Sequence, residues 1–184
     1  IKDAAGNPLA ADVTWSFIIA KDSAECFYTD FVKDLRALID GALAKYPGAR
    51  IACLGHSQGT QLLFSFFFDY GKPIDGFFGI GSPISMYSGA YPNWGKLPPG
   101  LGFWFNFYND MDFVSSRLQN VHPSKEISDF VIDYQVPLGW NPIYHLPFIK
   151  TQLVAGLLAH VAYWKSDYVA KTIAEKISQL IHQP

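Results

Sequence analysis

The residues best suited to chemistry are a serine set between two glycines, in the run Gly55-His56-Ser57-Gln58-Gly59. A serine on a sharp turn from a strand into a helix has its hydroxyl held away from the backbone, at the carboxyl edge of a sheet. The glycines are expected because side chains there would collide with the neighbouring strand and helix. Ser57 is therefore a candidate nucleophile.

A serine nucleophile needs a carboxylate among its partners, and two aspartates follow a later strand. A serine hydroxyl reacts poorly near neutral pH unless a histidine accepts its proton and an acid orients that histidine. In a parallel α/β sheet these groups follow the serine in the chain order acid, then histidine. After a predicted strand at 102–108 come Asp110 and Asp112. Asp112 is the preferred acid and Asp110 the alternative.

Histidines at several positions could serve as the base. His160 is preferred because it stands directly before a predicted terminal helix at 167–181. His145, in an aromatic-rich stretch, is the alternative. His122 follows the acid too closely, and His182 lies near the end of the chain.

The elements that must position these groups alternate between strand and helix. Apolar runs bounded by turn residues predict strands, and apolar residues at helical spacing predict helices. The pattern predicts a strand at 50–54 that is central and buried on both faces, helices at 22–43, 61–70 and 167–181, and further strands at 76–83, 102–108 and 127–136. This alternation predicts the α/β class, with a mostly parallel, doubly wound sheet and helices on both faces.

Two long stretches, 84–101 and 137–156, are rich in glycine, proline and aromatic residues. Irregular stretches of that length are usually functional. They are expected to form substrate-binding walls or a partial lid, with plain packing as the alternative. The expected substrate-binding residues are His56, Tyr87, Trp94, Trp140, Tyr144 and His145.

Composition excludes several classes of protein. The 184 residues are 49% hydrophobic and 16% charged with a net charge of -2, which excludes a disordered chain and gives no attraction to nucleic acid. No apolar run reaches the roughly 20 residues of a membrane-spanning helix. Cys26 and Cys53 lack metal-ligand spacing and are expected to be small core residues. No metal or cofactor is expected.

These motifs together resemble those of the α/β-hydrolase superfamily of serine esterases and lipases. The resemblance covers roughly residues 22–184 and is carried by the Ser57 run, Gly81-Ser82-Pro83, Asp112-Phe113-Val114 and His160 with Tyr163-Trp164. It implies a Ser57, Asp112 and His160 triad, an acyl-enzyme, and an oxyanion bound by the backbone N–H of Gln58. The hydrolase core is expected to be shortened at its N-terminus, because only about twenty residues precede the first predicted helix. If 13–20 is a strand of the sheet, the loop at 20–25 is the only nearby place for a second oxyanion donor; if it belongs to an immunoglobulin-like module, the sheet is truncated.

Residues 1–17 resemble the closing hairpin of a bacterial immunoglobulin-like module. This resemblance implies a processed or excised piece of a longer, extracytoplasmic or secreted protein, although a cytoplasmic location is also compatible. The alternative is that 13–20 forms an early strand of the main sheet. The expected organisation is an N-terminal hairpin or strand at 1–20 and a catalytic domain at 21–184.

The expected function is hydrolysis of carboxylic esters with apolar acyl groups, by an esterase or lipase acting on a small-molecule ester or a lipid. Thioester and amide cleavage remain alternatives on the same fold. A second hypothesis, from another class, is a catalytically impaired hydrolase fragment that acts as a binding module.

Overall fold

The computed structural model describes residues 24–87, 93, 95–137 and 149–182, with the side chains of 28–85, 93, 95–137 and 154–182. The chain divides into two compact units, 1–49 with 181–184 and 50–180. The first unit contributes helix α1 to the described residues. The expected hairpin or strand at 1–20 lies outside them.

Four strands and five α-helices make up the regular structure of the described residues. In chain order they are α1 (Ala24–Lys45), β1 (Ala52–His56), α2 (Gln58–Tyr70), β2 (Gly76–Ile80), β3 (Trp104–Tyr108), α3 (Lys125–Phe130), β4 (Ile132–Gln135), α4 (Ile149–Ala162) and α5 (Asp167–Ile181). Short 3-10 turns occupy Ile84–Tyr87 and Tyr163–Lys165.

The strands of the second unit form one parallel sheet in the order β1-β2-β3-β4. The register aligns Gly55 with Gly79, and Gly79 in turn with Asn106. All carboxyl ends therefore lie at the same edge of the sheet. The predicted α/β class is confirmed at this level, as a parallel sheet with helices.

The two middle strands are apolar apart from Asn106 on β3, and helices cover both of their faces. Every residue of β2 and β3 is buried. On one face, Phe77 packs edge-to-face on Phe67 of α2, with ring centroids 5.2 Å apart, and also contacts Trp104. On the opposite face, a core cluster joins Phe78, Ile80, Phe105 and Phe107 to Tyr163 and α5 residues Val169, Ile173 and Ile177. Burial on both faces is what a continuous apolar run in a parallel sheet requires.

The strand before Ser57 differs from its prediction. Within the described residues β1 lies at an edge of the sheet, where Cys53 and Gly55 are buried but Ala52 and Leu54 are exposed. An apolar run of this length does not distinguish an edge strand from a central one. Cys53 is a buried core residue as expected, and burial raises the pKa of its thiol to about 12.

The predicted strand at 127–136 is wrong in its first half. Residues Lys125–Phe130 form α3, and the strand begins only at Ile132. Ile127 and Val131 are both fully buried. Their spacing of four residues fits one face of a helical turn, and Ser124 stands at the N-cap. The predicted helices at 61–70 and 167–181 are confirmed within α2 and α5.

Candidate active site

Ser57 occupies the turn between β1 and α2 in a backbone conformation that residues other than glycine rarely adopt. Its φ is 55° and its ψ is -130°. Its N–H donates to the carbonyl of Ile80 at 3.0 Å, and its carbonyl accepts from the N–H of Thr60 at 3.0 Å. A strained residue held by the surrounding hydrogen bonds is typical of a functional turn.

The two glycines beside Ser57 have different roles. A Cβ on Gly55 would lie 2.9 Å from the backbone nitrogen of Thr60 and 3.0 Å from the carbonyl of Gly59, so a side chain is excluded there as predicted. A Cβ on Gly59 would meet nothing within 4 Å. The prediction of a collision at Gly59 is therefore wrong, because that position faces open space.

Buried hydroxyls tie the turn to the end of β2. Thr60 Oγ1 donates to the Ser57 carbonyl at 2.6 Å and lies 2.9 Å from Ser82 Oγ. Because the Thr60 proton is given to the carbonyl, the Ser82 hydroxyl donates to Thr60. Ser82 Oγ in turn accepts from the N–H of Ile84 at 3.3 Å. Thr60 and Ser82 are fully buried, so the position of the turn depends on these bonds.

Asp112 lies in a tight turn after β3 and is almost completely buried. The N–H of Asp112 donates to the carbonyl of Asn109, and Asp112 Oδ1 accepts from the N–H of Val114 at 2.9 Å. Asn109 fixes the turn, since its Oδ1 accepts from the N–H of Met111 and its Nδ2 donates to the carbonyl of Val136. The turn is thus attached to the end of β4.

His160 meets this carboxylate directly. Its Nδ1 lies 2.9 Å from Asp112 Oδ2, and its side chain is 12% exposed. A carboxylate oxygen accepts, so Nδ1 carries the proton and the neutral ring presents Nε2 as an acceptor. Asp110 does not share this arrangement: it is exposed and its Oδ2 accepts from Nε2 of Gln135 at 2.6 Å.

The element that carries His160 is a helix, and its first half falls in the stretch 137–156 that was predicted to be irregular. His160 lies near the end of α4, which begins at Ile149. This helix is apolar on nearly all sides, so its sequence shows little helical periodicity. The residues on its inner side have small side chains or none. Ala155 and Ala159 are buried, and a Cβ on Gly156 would lie 2.1 Å from Cδ1 of Phe113. Small residues let α4 lie close against the acid turn.

Gly81 connects the serine turn to the acid and histidine. Its φ is +56°, and a Cβ there would lie 3.1 Å from Tyr163 Cε2, 3.2 Å from His160 Cε1 and 3.3 Å from Asp112 Oδ2. The preceding residue, Ile80, accepts the hydrogen bond from the Ser57 N–H. The three predicted residues, 57, 112 and 160, therefore gather around the carboxyl end of β2.

His56 packs against His160. Its Nε2 donates to the backbone carbonyl of His160 at 2.9 Å, and the two ring centroids are 4.8 Å apart. The ring also meets Trp164 at 5.3 Å. Burial lowers the pKa of His56, and the hydrogen bond to His160 opposes that effect. His56 was expected in the substrate-binding wall, and its described contacts are with His160, Tyr163 and Trp164.

The other expected wall residues are not described as side chains. The backbone of Tyr87 ends a 3-10 turn, and its side chain lies outside the described residues, as do Trp94, Trp140, Tyr144 and His145. The alternative base His145 thus stays a prediction. Of the weaker histidines, His122 is buried, with Nδ1 accepting from the N–H of Ser124, and His182 is exposed.

Gln58 is the first residue of α2. The first N–H groups of a helix have no acceptor within the helix, and they point toward the space before its N-terminus. The N–H of Gln58 is thus suited to bind a negative oxygen beside Ser57. The region named for a second donor, 20–25, lies mostly outside the described residues.

Tyr163, which the sequence predicted only as part of the resemblance, also contacts the acid. Its hydroxyl lies 2.9 Å from Asp112 Oδ2 and 2.9 Å from Ser115 Oγ. The available signal was its position three residues after His160, which places the two side chains on neighbouring parts of one helical surface.

Large apolar side chains are exposed near His160. Trp164 is 57% exposed and Phe113 is 51% exposed. Along α4 the exposed residues recur at helical spacing and are Val154, Leu157, Leu158 and Val161. An exposed apolar surface of this kind marks a ligand or interaction surface.

Searches of the described residues found no cluster of His, Cys, Asp or Glu side chains suited to hold a metal ion. In the same part of the chain, every helix is too short or too polar to cross a membrane. Comparisons with protein-family models, with curated proteins and with solved structures found no match to this chain. Functional assignment therefore rests on the fold and on the geometry of the site.

Proposed function

We propose that this chain is a serine hydrolase of the α/β-hydrolase type that cleaves carboxylic esters with apolar acyl groups. The observation that carries the proposal is the 2.9 Å contact between His160 Nδ1 and Asp112 Oδ2 beside Gly81. The strained turn at Ser57 is joined to the same strand end. The order serine, acid, histidine along the chain matches that of the superfamily.

In the proposed reaction Ser57 Oγ attacks the ester carbonyl while His160 Nε2 accepts the hydroxyl proton. Asp112 stabilises the resulting imidazolium through Nδ1. The negative oxygen of the tetrahedral intermediate accepts from the N–H of Gln58. His160 then gives its proton to the departing alkoxide, which leaves an acyl-enzyme. Water, deprotonated by His160, releases the acid and restores Ser57.

The exposed apolar side chains support the apolar substrate class. Leu157 and Val161 lie on the helix that carries His160, and each is more than half exposed. Phe113, next to Asp112, is also more than half exposed. An acyl chain bound near the triad would remove this apolar area from water, which is favourable by about 25 cal/mol per Å².

Labelling with a fluorophosphonate probe tests the proposal on the full chain. The wild type should be labelled and should hydrolyse p-nitrophenyl esters, with faster turnover as the acyl chain lengthens from acetyl. Ser57→Ala should lose labelling, and turnover should fall on the order of 10⁴-fold or more because the nucleophile is gone.

Ser178→Ala is the matched control, because Ser178 is exposed on α5. It should be labelled like the wild type. Folded wild-type protein that takes no label would show the hydrolase proposal to be wrong and would favour the binding module. Faster turnover of thioesters or amides than of esters would contradict the ester class alone.

A further inference from the structure

The Tyr163 hydroxyl is buried against the carboxylate that holds His160. Tyr163 is 1% exposed, and its oxygen lies 2.9 Å from Asp112 Oδ2 and 2.9 Å from Ser115 Oγ. The ring is packed in the core cluster with residues of β2, β3 and α5. The ring therefore has little freedom to turn away.

The directions of these hydrogen bonds follow from what each group can donate. A carboxylate only accepts, so Tyr163 gives its one proton to Asp112. Ser115 must then donate to the Tyr163 oxygen, and Ser115 Oγ accepts from the N–H of Asn109 at 3.4 Å. Burial raises the pKa of Tyr163, so the hydroxyl keeps its proton.

Two donors share one oxygen of Asp112. Oδ2 accepts from both His160 Nδ1 and Tyr163, while Oδ1 accepts from the N–H of Val114. The second donor on Oδ2 takes up part of its negative charge and fixes the rotation of the carboxylate. His160 therefore meets a carboxylate whose charge and orientation depend on Tyr163.

We propose that Tyr163 is a positioning residue that acts through Asp112, because its hydrogen bond fixes the rotation and reduces the charge of the carboxylate that orients His160. The inference rests on the proposed hydrolase function. Tyr163 touches the acid and, through it, the base.

The titratable groups around Asp112 come from several elements. His160 belongs to α4, Tyr163 to the 3-10 turn that follows, and His56 to β1, with its ring against both. Directly after β2, Gly81 lies against these groups and carries no charge. A change of pH profile must therefore be separated from titration of His56.

Tyr163→Phe removes the hydroxyl and keeps the ring. Without the Tyr163 donor, Oδ2 carries more negative charge and stabilises the protonated ring of His160 more strongly. The ring should therefore lose its proton at a higher pH than in the wild type. The rising limb of the kcat against pH profile should move up by about 0.5 pH unit or more. The kcat at its pH maximum should fall about tenfold, because the carboxylate that orients His160 loses the donor that fixes its rotation, and KM should stay within about twofold of wild type.

Tyr134→Phe is the matched control. Tyr134 lies on β4 and packs on Phe105 and Phe107 in the cluster that includes Tyr163. Loss of its hydroxyl should leave the limb, kcat and KM unchanged. Ser115→Ala is the second variant and keeps the proposal testable if Tyr163→Phe does not fold. It weakens Tyr163 as a donor and should move the limb in the same direction by a smaller amount.

A limb that stays in place or moves to lower pH in a folded Tyr163→Phe variant would overturn the inference. Titration of the His160 ring by NMR gives the same comparison without turnover. A folded wild type that hydrolyses no ester contradicts the proposed function, whereas an active wild type with an unmoved titration in the variant contradicts only the role of Tyr163.

Discussion

At the scale of single residues, Gly81 and Tyr163 determine how closely the groups of the site approach one another. Gly81 supplies the space in which Asp112, His160 and Tyr163 meet, and Tyr163 supplies the second donor to the acid. Neither is a candidate for covalent chemistry. Both matter because displacements of about 1 Å at a catalytic site can cost on the order of 10²-fold in rate.

Gly81→Ala should therefore reduce ester turnover by about 10²-fold. Its Cβ would push on all three partners, and a φ of +56° is unfavourable for alanine by about 1–2 kcal/mol. Turnover and the midpoint of urea unfolding measure the two effects.

Gly79→Ala is the control for this prediction. A Cβ there would lie 3.4 Å from Trp104 Nε1 and 3.8 Å from Phe77 and Thr60, which are ordinary van der Waals contacts. The variant should keep most of its turnover. Equal losses in the two variants would show that strand β2, and not the space beside the triad, is sensitive.

At the scale of elements, strand β4 holds the segment that follows the acid turn. Asp133 accepts from the N–H groups of Leu118 and Gln119, each at 2.9 Å, and from Asn106 Nδ2 at 2.8 Å. Its side chain is 5% exposed. The acid turn itself is held by the bond from Asn109 to the carbonyl of Val136, the residue directly after β4.

Asp133→Ala should destabilise the protein by on the order of 3 kcal/mol, because several buried donors lose their acceptor. Urea unfolding followed by circular dichroism measures the change. Asp129→Ala on α3 is the control: it removes an exposed pair with Lys125 and should cost about 0.5 kcal/mol or less. Similar losses for the two aspartates would contradict the role assigned to β4.

At the scale of the whole molecule, His122, which is buried, and His56, which is partly buried, should make the stability depend on pH. Burial is the main cause that lowers the pKa of His56 and of His122 below the ordinary value of 6.5. In the unfolded chain each histidine titrates near its ordinary value, so protonation below it favours unfolding. Their contribution is complete above pH 6.5 and is lost as the pH falls toward the folded-state pKa.

The free energy of unfolding should therefore fall as the pH drops below about 6.5, by at most about 1.4 kcal/mol per pH unit for each histidine. His122→Gln should reduce this dependence, measured by urea unfolding at several pH values. His182→Gln, at an exposed position, should leave it unchanged. A His122→Gln variant with the wild-type pH dependence would contradict the assignment.

The sequence by itself determined the features that depend on residues close together in the chain. The strand, turn and helix around Ser57, the end of α2 at Gly71 and helix α5 all follow from local patterns. The order of the serine, acid and histidine is also a property of the sequence. Helix α4 escaped prediction because it is apolar on nearly all sides, and α3 because its buried residues lie inside a run that also fits a strand.

Only the tertiary structure decided which groups meet. Asp112 and His160 are 48 positions apart, and Asp112 and Tyr163 are 51 apart. The choice of Asp112 over its exposed neighbour Asp110 depends on how the turn is held by Asn109. Periodicity reports contacts within one element. Distances between side chains on different elements depend on how those elements pack around β2. A local sequence pattern carries no information about that packing.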